Sequence, residues 1–454
     1  ITILTHSGTN RWQGRLYGFL RNQRLDARNP FATRKDPLTQ TQYGATTGGP
    51  LGRDRTFLFS NLEQTRQNRA GFVTILPGNV AAVNAALDRF GYRGPRISTG
   101  EFATGYDSTN WFGRIDHRVS GRHQLAARYS LYDISSVNAR TAGSLNDISR
   151  GVALENRDQT VAFNEVATLS TRTLNESRFQ FTRSRLGAPA NDLVGPAVNI
   201  SGVAGFGTAT SSPVGRAIDL YEVVNNTSTQ RGRHFLKAGA DLLHNRVNIV
   251  FPGALQGVYT FSNVANLQAG RYITYQQAFG GPEQFQSNPN LGLFVQDEWR
   301  PRPDLTVNAG VRYDLQWLPE PIRTDRNNVG PRLGLAWAPG DHKTVVRAGV
   351  GLHYDRIPLR ATSNALQRDG IKYRVAVLSF GEAAAPVFPG VLASFPAALL
   401  TSVTSIDSGI HSAYSHSSSL QIEREIARQT SLSAAFTHVR GLHLIMSRIV
   451  NVPA

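Results

Sequence analysis

The stretch HSAYSH, from His411 to His416, is the nearest approach in this chain to a metal-ligand pair. Two imidazoles without a third donor close by make a weak site, so a polar loop is the simpler reading and no metal is assigned. Glu423 and Glu425 share one face of an extended segment, a spacing that suits acid/base work. No oriented partner accompanies them, and salt bridging inside a polar interior is the simpler role. AGVGLHYD, around Gly349, has two glycines in GxG spacing but lacks the third glycine and the helix that a dinucleotide site needs. Nucleophile-elbow, HExxH, P-loop and EF-hand patterns are absent. The expectation is therefore a protein that is not an enzyme and carries no cofactor. What recurs instead is arginine on the polar side of alternating segments: Arg128, Arg178, Arg312, Arg332 and Arg347. These side chains could line a conduit for an anionic ligand, or pair with acids such as Glu176 and Asp314.

The segments that carry those arginines are typified by LGLFVQDEWRPRPDLTVNAGVRYD, Leu291 to Asp314. In its second limb Leu305, Val307, Ala309, Val311 and Tyr313 share one face, and Thr306, Asn308, Gly310, Arg312 and Asp314 the other, because successive strand side chains point to opposite sides. The pattern repeats. Arg11 to Arg21 opens the series, and Gln42 to Gly49 leads through PLGRDR to Thr56 to Gln64. Asn110 to Val119 pairs with Gln124 to Asp133, Thr160 to Leu169 with Leu174 to Arg183, and Tyr221 to Thr229 with His234 to His244. Pro331 to Ala338 pairs with Thr344 to Tyr354, and Ser418 to Ile426 with Ser431 to Val439. A few turn residues join each pair, and long polar stretches separate the pairs. Within one of those stretches Val80, Val83, Leu87 and Phe90 recur at helical spacing, with Asn79 as N-cap and Gly91 as stop. Another contains the apolar run VYTF, Val258 to Phe261. The longest, Asp355 to about Ala413, includes an apolar part from Ala383 to Leu400 that could pack over the barrel mouth or meet a surface partner.

The chain has 454 residues, 42 glycines, no cysteine and one methionine, so structural disulfides and thiolate metal sites are excluded. Its formal charge of +16 comes from 48 Lys plus Arg against 32 Asp plus Glu. The basic residues are spread through strands and loops without a basic helix or block, and nucleic acid is not expected as a partner. No run of about 18 apolar residues is present, which excludes a helical span. ITILTHSGTN lacks the charged and then apolar pattern of a signal peptide, so an exported chain is expected to have lost its start.

Strict alternation of short and long connections implies a rim of tight periplasmic turns and a rim of long extracellular loops, and the repeats have the nine to eleven or so residues of a tilted span. Only a closed sheet leaves no unpaired backbone in lipid. The fold expected is all-β: an antiparallel transmembrane β-barrel, embedded in lipid of the cell outer membrane. Asp297 and Arg424 fall on the apolar face but lie within a few residues of a short turn, where a charge costs about 0 to 1 kcal/mol. With every short turn facing inward, Trp12, Trp299 and Trp337 mark an inner aromatic girdle and Trp111, Tyr313 and Tyr354 an outer one. About fifteen wall strands are expected, whereas such barrels have even numbers. The chain thus reads as a partial barrel, incomplete at its C-terminus.

SGTNRWQGRLYGFLRNQRLDARNPF, QYGATTGGPLGRDRTFLFSNLEQTR, WFGRIDHRVSGRHQLAARYSL, LFVQDEWRPRPDLTVNAGVRYD, VGPRLGLAWAPGDHKTVVRAGVGLHYD and SSLQIEREIARQTSLSAAFTHVRGLHL together resemble the barrel of Oar-like TonB-dependent outer-membrane receptors, over nearly the whole chain and in order. The resemblance implies a plug inside a barrel of roughly 22 strands, often behind a carboxypeptidase-regulatory-like domain. It also implies energised uptake of a bulky, unidentified ligand, with the TonB complex pulling on the plug. On this reading residues 1–10 are the end of a plug domain and 11–454 the barrel domain. No TonB box and no closing C-terminal aromatic residue are visible, so the plug that would engage TonB lies outside this chain. The other expectation is an outer-membrane adhesin or surface-assembly protein acting through its long extracellular loops.

Overall fold

The computed structural model describes residues 5–28 and 35–450. In chain order the strands are β1 (Gln13–Asn22), β2 (Leu38–Gly52), β3 (Thr56–Val73), β4 (Gly100–Arg118), β5 (His123–Arg140), β6 (Val152–Ser170) and β7 (Thr173–Ala188). There follow β8 (Ala197–Ile200), β9 (Ala204–Phe206), β10 (Val214–Arg231), β11 (His234–Val250), β12 (Val258–Phe261), β13 (Thr274–Gly280) and β14 (Glu283–Arg302). The last are β15 (Leu305–Gln316), β16 (Val329–Trp337), β17 (Thr344–Tyr354), β18 (Tyr373–Ser379), β19 (Tyr414–Ala427) and β20 (Thr430–Leu442). Among the described residues three α-helices lie between them: α1 (Pro77–Phe90), α2 (Val264–Gln268) and α3 (Leu359–Gln367).

All but β8, β9, β12, β13 and β18 join one 15-stranded sheet in which each strand pairs with its neighbours along the chain, with β1 and β20 at its edges. Register explains why the alternation matters. Val295 opposes Val311 and Leu293 opposes Tyr313, while Phe294 opposes Arg312 and Gln296 opposes Gly310. One face of the wall is thus apolar across strands and the other polar. The apolar face is open to its surroundings, with Leu62, Leu293, Val295 and Val350 each at least two-fifths exposed. In water such a surface would be a liability; against hydrocarbon it is the stabilising face.

Strands run well past the ends read from the pattern. β4 begins at Gly100 rather than Asn110, and β6 at Val152 rather than Thr160. GEFATGYDST carries no apolar face, so nothing in its pattern marks a strand, yet its backbone pairs with β3 through Ala70↔Ala103 and Asn68↔Gly105. Backbone groups are paired in any strand; only the membrane demands an apolar side.

The long connections are not separate polar loops. β18, β13, β12, β8 and β9 form a second, five-stranded sheet, assembled from three different connections, with β12 and β8 parallel. Under it lies a core that includes Tyr259, Tyr275, Phe206, Phe261, Leu87 and Ile75, each almost fully buried. Burying each such side chain contributes about 1.5–3 kcal/mol, enough to offset ordering of the segments around it. VYTF is the centre of this cap as β12. Part of the Ala383 to Leu400 stretch closes it: Phe388 is buried and Ala385, Leu392 and Leu399 pack beside it, while Val387 and Leu400 stay exposed.

α1 sits in the same core through Val83 and Leu87. Its N-cap is Leu76, not Asn79, without a side-chain cap, because Pro77 starts the helix: its fixed φ suits the first turn and its missing N–H leaves no orphan donor. Gly91 ends it in the left-handed region at φ 65°, where an amide closes the last turn.

Candidate functional site

The polar face of the wall holds the chemistry. Arg128, Arg178 and Arg312 come together around one cavity of about 390 Å³, with Glu222, Lys237 and Asp241. Arg312 is its best-held member. Nε donates to both oxygens of Asp314 at 2.9 and 3.0 Å, and Nη2 to Asp241 Oδ2 at 2.9 Å. Gly292 makes this possible, since a Cβ there would fall on the Arg312 guanidinium and beside Asp241 Oδ2. Arg178 faces Glu176 at 3.6 Å. Arg347 donates to Glu423 Oε2 at 2.9 Å, away from that cavity. Arg128 and Arg332 form no ion pair with a carboxylate among the described residues. They are the two of the five arginines left to meet an anion.

A second cavity of about 430 Å³ adjoins the first at Arg312 and continues toward the cap, lined by Asp314, Asn328, Arg332, His353, Asp355 and Arg356 among others. Asn328 is 3% exposed, and its Oδ1 has no hydrogen-bond partner. Two glutamines on adjacent wall strands fix the roof. Gln316 Nε2 donates to Ile357 O at 3.0 Å and its Oε1 accepts from Ile357 N at 2.8 Å. Gln286 Nε2 donates to Ser363 Oγ at 2.6 Å and its Oε1 accepts from Thr362 Oγ1 at 2.7 Å. Gln286 pins α3 across the polar face of β14, and Gln316 fixes the chain just ahead of the helix. Sequence reading missed Lys237, Asp241 and Asn328, as well as the amide row Gln284, Gln286, Asn288 and Asn290. The signal was available: each has the parity of the polar face.

The cap buries its tyrosines with their hydroxyls satisfied. Tyr92 donates to Pro196 O at 2.9 Å, Tyr272 to Pro386 O at 2.7 Å, and Tyr275 to Gln277 Oε1. Burial is the main cause that raises the Tyr259 and Tyr92 phenols and pushes Tyr275 up to about 12. Burial likewise lowers the Arg150 guanidinium from its ordinary value.

His411 lies 3.5 Å from Asp325 Oδ2 and against the His443 ring, while His416 lies against Tyr414 instead. Among the described residues no group of three such side chains could hold a metal ion. Trp12, Trp299 and Trp337 are exposed beside short turns. Trp111, Tyr313 and Tyr354 lie farther along their strands on the same apolar face, the Tyr313 hydroxyl donating to Arg326 O at 3.0 Å. Asp297, on that face, accepts through Oδ2 from His234 Nδ1 at 2.6 Å, and His234 stacks on Trp299. Arg424 donates to Thr344 Oγ1 at 2.9 Å.

A family model described as the outer membrane beta barrel domain matches residues 4–90, 96–323 and 318–454. No curated protein matches. Among solved structures, the outer membrane transporter YddB of Escherichia coli is similar at a TM-score of 0.57 and 11% identity, over 86% of this chain and 45% of that one. The siderophore receptor PirA of Acinetobacter baumannii follows at 0.55 and 11%, over 95% and 53%. A mutant ferric enterobactin receptor, PfeA of Pseudomonas aeruginosa, stands at 0.53 and 12%, over 96% and 54%. The chain spans about half the length of these structures. At such identities the likeness is one of fold.

Proposed function

Because this chain belongs to the outer membrane beta barrel domain family, and so is a protein of the cell outer membrane and not an enzyme, we propose that it is the barrel portion of an Oar-like TonB-dependent receptor. In this reading residues 11–454 supply barrel wall, residues 1–10 the end of a plug, and the TonB complex energises uptake through that plug. The observation that carries it is the pair of adjoining charged cavities on the polar face, meeting at Arg312 and leading toward the folded cap. Lumen charges held by acids shape the passage, while Arg128 and Arg332, left without a carboxylate, attract an anionic ligand. The fold of siderophore and enterobactin receptors supports the reading as far as architecture goes.

The test uses the full-length protein in its outer membrane. Heat-modifiable migration and protease resistance are expected, with ligand uptake that disappears when TonB is absent. R128Q and R332Q are expected to lower uptake several-fold while leaving stability within about 0.5 kcal/mol. A soluble, protease-sensitive product, or uptake indifferent to TonB, would sink the proposal. The adhesin reading draws on the cap, where Val387, Leu400 and Val403 stand exposed. Cell contact that survives removal of residues 383–403 would dismiss it.

A further inference from the structure

At the end of the wall opposite the cap, the short turns are unusually basic on one side. The β2–β3 turn carries Arg53 and Arg55, the β4–β5 turn Arg118 and Arg122, the β6–β7 turn Arg172, and the β10–β11 turn Arg231 and Arg233, all exposed. These turns are consecutive neighbours in space. Arg118 N donates to Arg55 O at 2.8 Å, Thr168 N to Arg122 O at 2.8 Å, and Gln230 N to Arg172 O at 2.9 Å. Paired strands lie about 4.8 Å apart and each turn joins two of them, so neighbouring turns stand roughly 10 Å apart and the seven arginines follow one another along this rim as an arc.

Among the described residues the arc is largely uncompensated. Asp54, which accepts from Asn10 Nδ2 at 2.5 Å, is the one carboxylate in these turns, against seven arginines. None of these arginines forms an ion pair with a carboxylate among the described residues. Two of them donate to carbonyls of neighbouring turns, Arg55 Nε to Arg118 O at 3.4 Å and Arg233 Nη1 to Pro301 O at the end of β14, which leaves most of their N–H donors without a partner among the described residues. Turns farther along differ: Arg300 meets Glu298 at 2.5 Å and Arg302 meets Asp304 at 3.4 Å. Uncompensated like charges at close spacing repel one another and call for a counter-anion.

We propose that this arc is a docking surface for the phosphates of anionic phospholipids in the leaflet that surrounds it. The proposal rests on the barrel reading above, in which short turns face the periplasm. Trp12, more than half exposed on the apolar face at this end, stands where an indole marks the headgroup boundary. The guanidinium groups just beyond it are at phosphate depth. Their planar forks suit bidentate phosphate contact, and the membrane presents that partner at high local concentration.

The full chain is inserted into phosphatidylcholine vesicles containing spin-labelled phosphatidylglycerol or spin-labelled phosphatidylcholine, and insertion is verified by heat-modifiable migration. Preferential association of phosphatidylglycerol by about threefold or more is expected, weakening as salt rises. In R53Q/R55Q/R118Q/R122Q the preference is expected to fall to parity. In R24Q/R93Q/R323Q/R326Q, which removes as many cations from the opposite end, it is expected to persist. Equal association of both lipids with the inserted wild type overturns the proposal whether or not the variants fold. A preference that survives the first variant overturns it too, as does tight binding of a soluble acidic polypeptide without lipid selectivity. Failure of the wild type to insert removes the barrel reading itself.

Discussion

Arg312 shows how much a single side chain depends on its neighbours. Its guanidinium is shared by two half-buried carboxylates, Asp241 and Asp314, and has room only because position 292 is glycine. Gly292→Val is therefore expected to displace Arg312 and leave Asp241 without its partner, at a cost of about 1–3 kcal/mol. Urea unfolding of the refolded barrel measures it, and an unchanged midpoint would mean the pair contributes nothing. The same strand tests the two faces. Val295 and Gln296 are adjacent but point to opposite sides of β14. Val295→Arg is expected to cost roughly 2–4 kcal/mol in lipid and Gln296→Arg little. Equal losses would contradict the assignment of lumen and lipid faces.

Elements in this chain divide into those whose signal is local and those assembled from distant pieces. Wall hairpins belong to the first kind: alternation and turn residues in β14 and β15 say which residues face together and where the chain reverses. α1 is nearly so, legible from Val80, Val83, Leu87 and Phe90 and from Gly91, with Pro77 rather than Asn79 setting its start. The cap sheet is of the second kind. β8, β12, β13 and β18 are each short; β8 turns back on β9 in a hairpin, but β12 meets β8 and β13 meets β18 only across long stretches of chain. Tyr259 is the residue around which they meet, packing on Tyr272, Tyr275 and Phe388. Tyr259→Ala should destabilise the cap by about 3–5 kcal/mol while the wall keeps its heat-modifiable migration. Limited proteolysis would reveal cleavage confined to residues 74–99, 189–213, 251–282 and 355–413. Loss of the wall together with the cap would show that the two do not unfold separately.

Taken whole, the molecule is a polar-lined sheet roofed by a small aromatic domain and bordered at its other end by arginine. The roof has a pH limit of its own. Tyr275 is held up to about 12 and Tyr259 is raised further, chiefly by burial. An unfolded phenol ionises near 10, so both contribute stability that is fully present below about pH 10 and lost as pH climbs from there through the folded values. Phenolate absorbance is expected to rise in two phases, exposed tyrosines first and cap tyrosines later, the second coinciding with protease sensitivity of the cap. A single phase near 10 would argue against a buried aromatic core.

The sequence by itself determined the all-β class, the two-faced alternation of wall strands such as β15 and β17 and the distinction between short and long connections. Those properties are carried by neighbours in the chain: a strand's faces follow from period two, and a tight turn from the few residues in it. Tertiary structure alone decided where β4 and β6 end, because pairing needs a partner strand and not a pattern. It also decided that the long connections condense into one cap, that Gln286 and Gln316 hold α3 and the residues ahead of it across the mouth, and which arginines pair with acids. In each case the deciding contact joins residues far apart in the chain, and no local period records it.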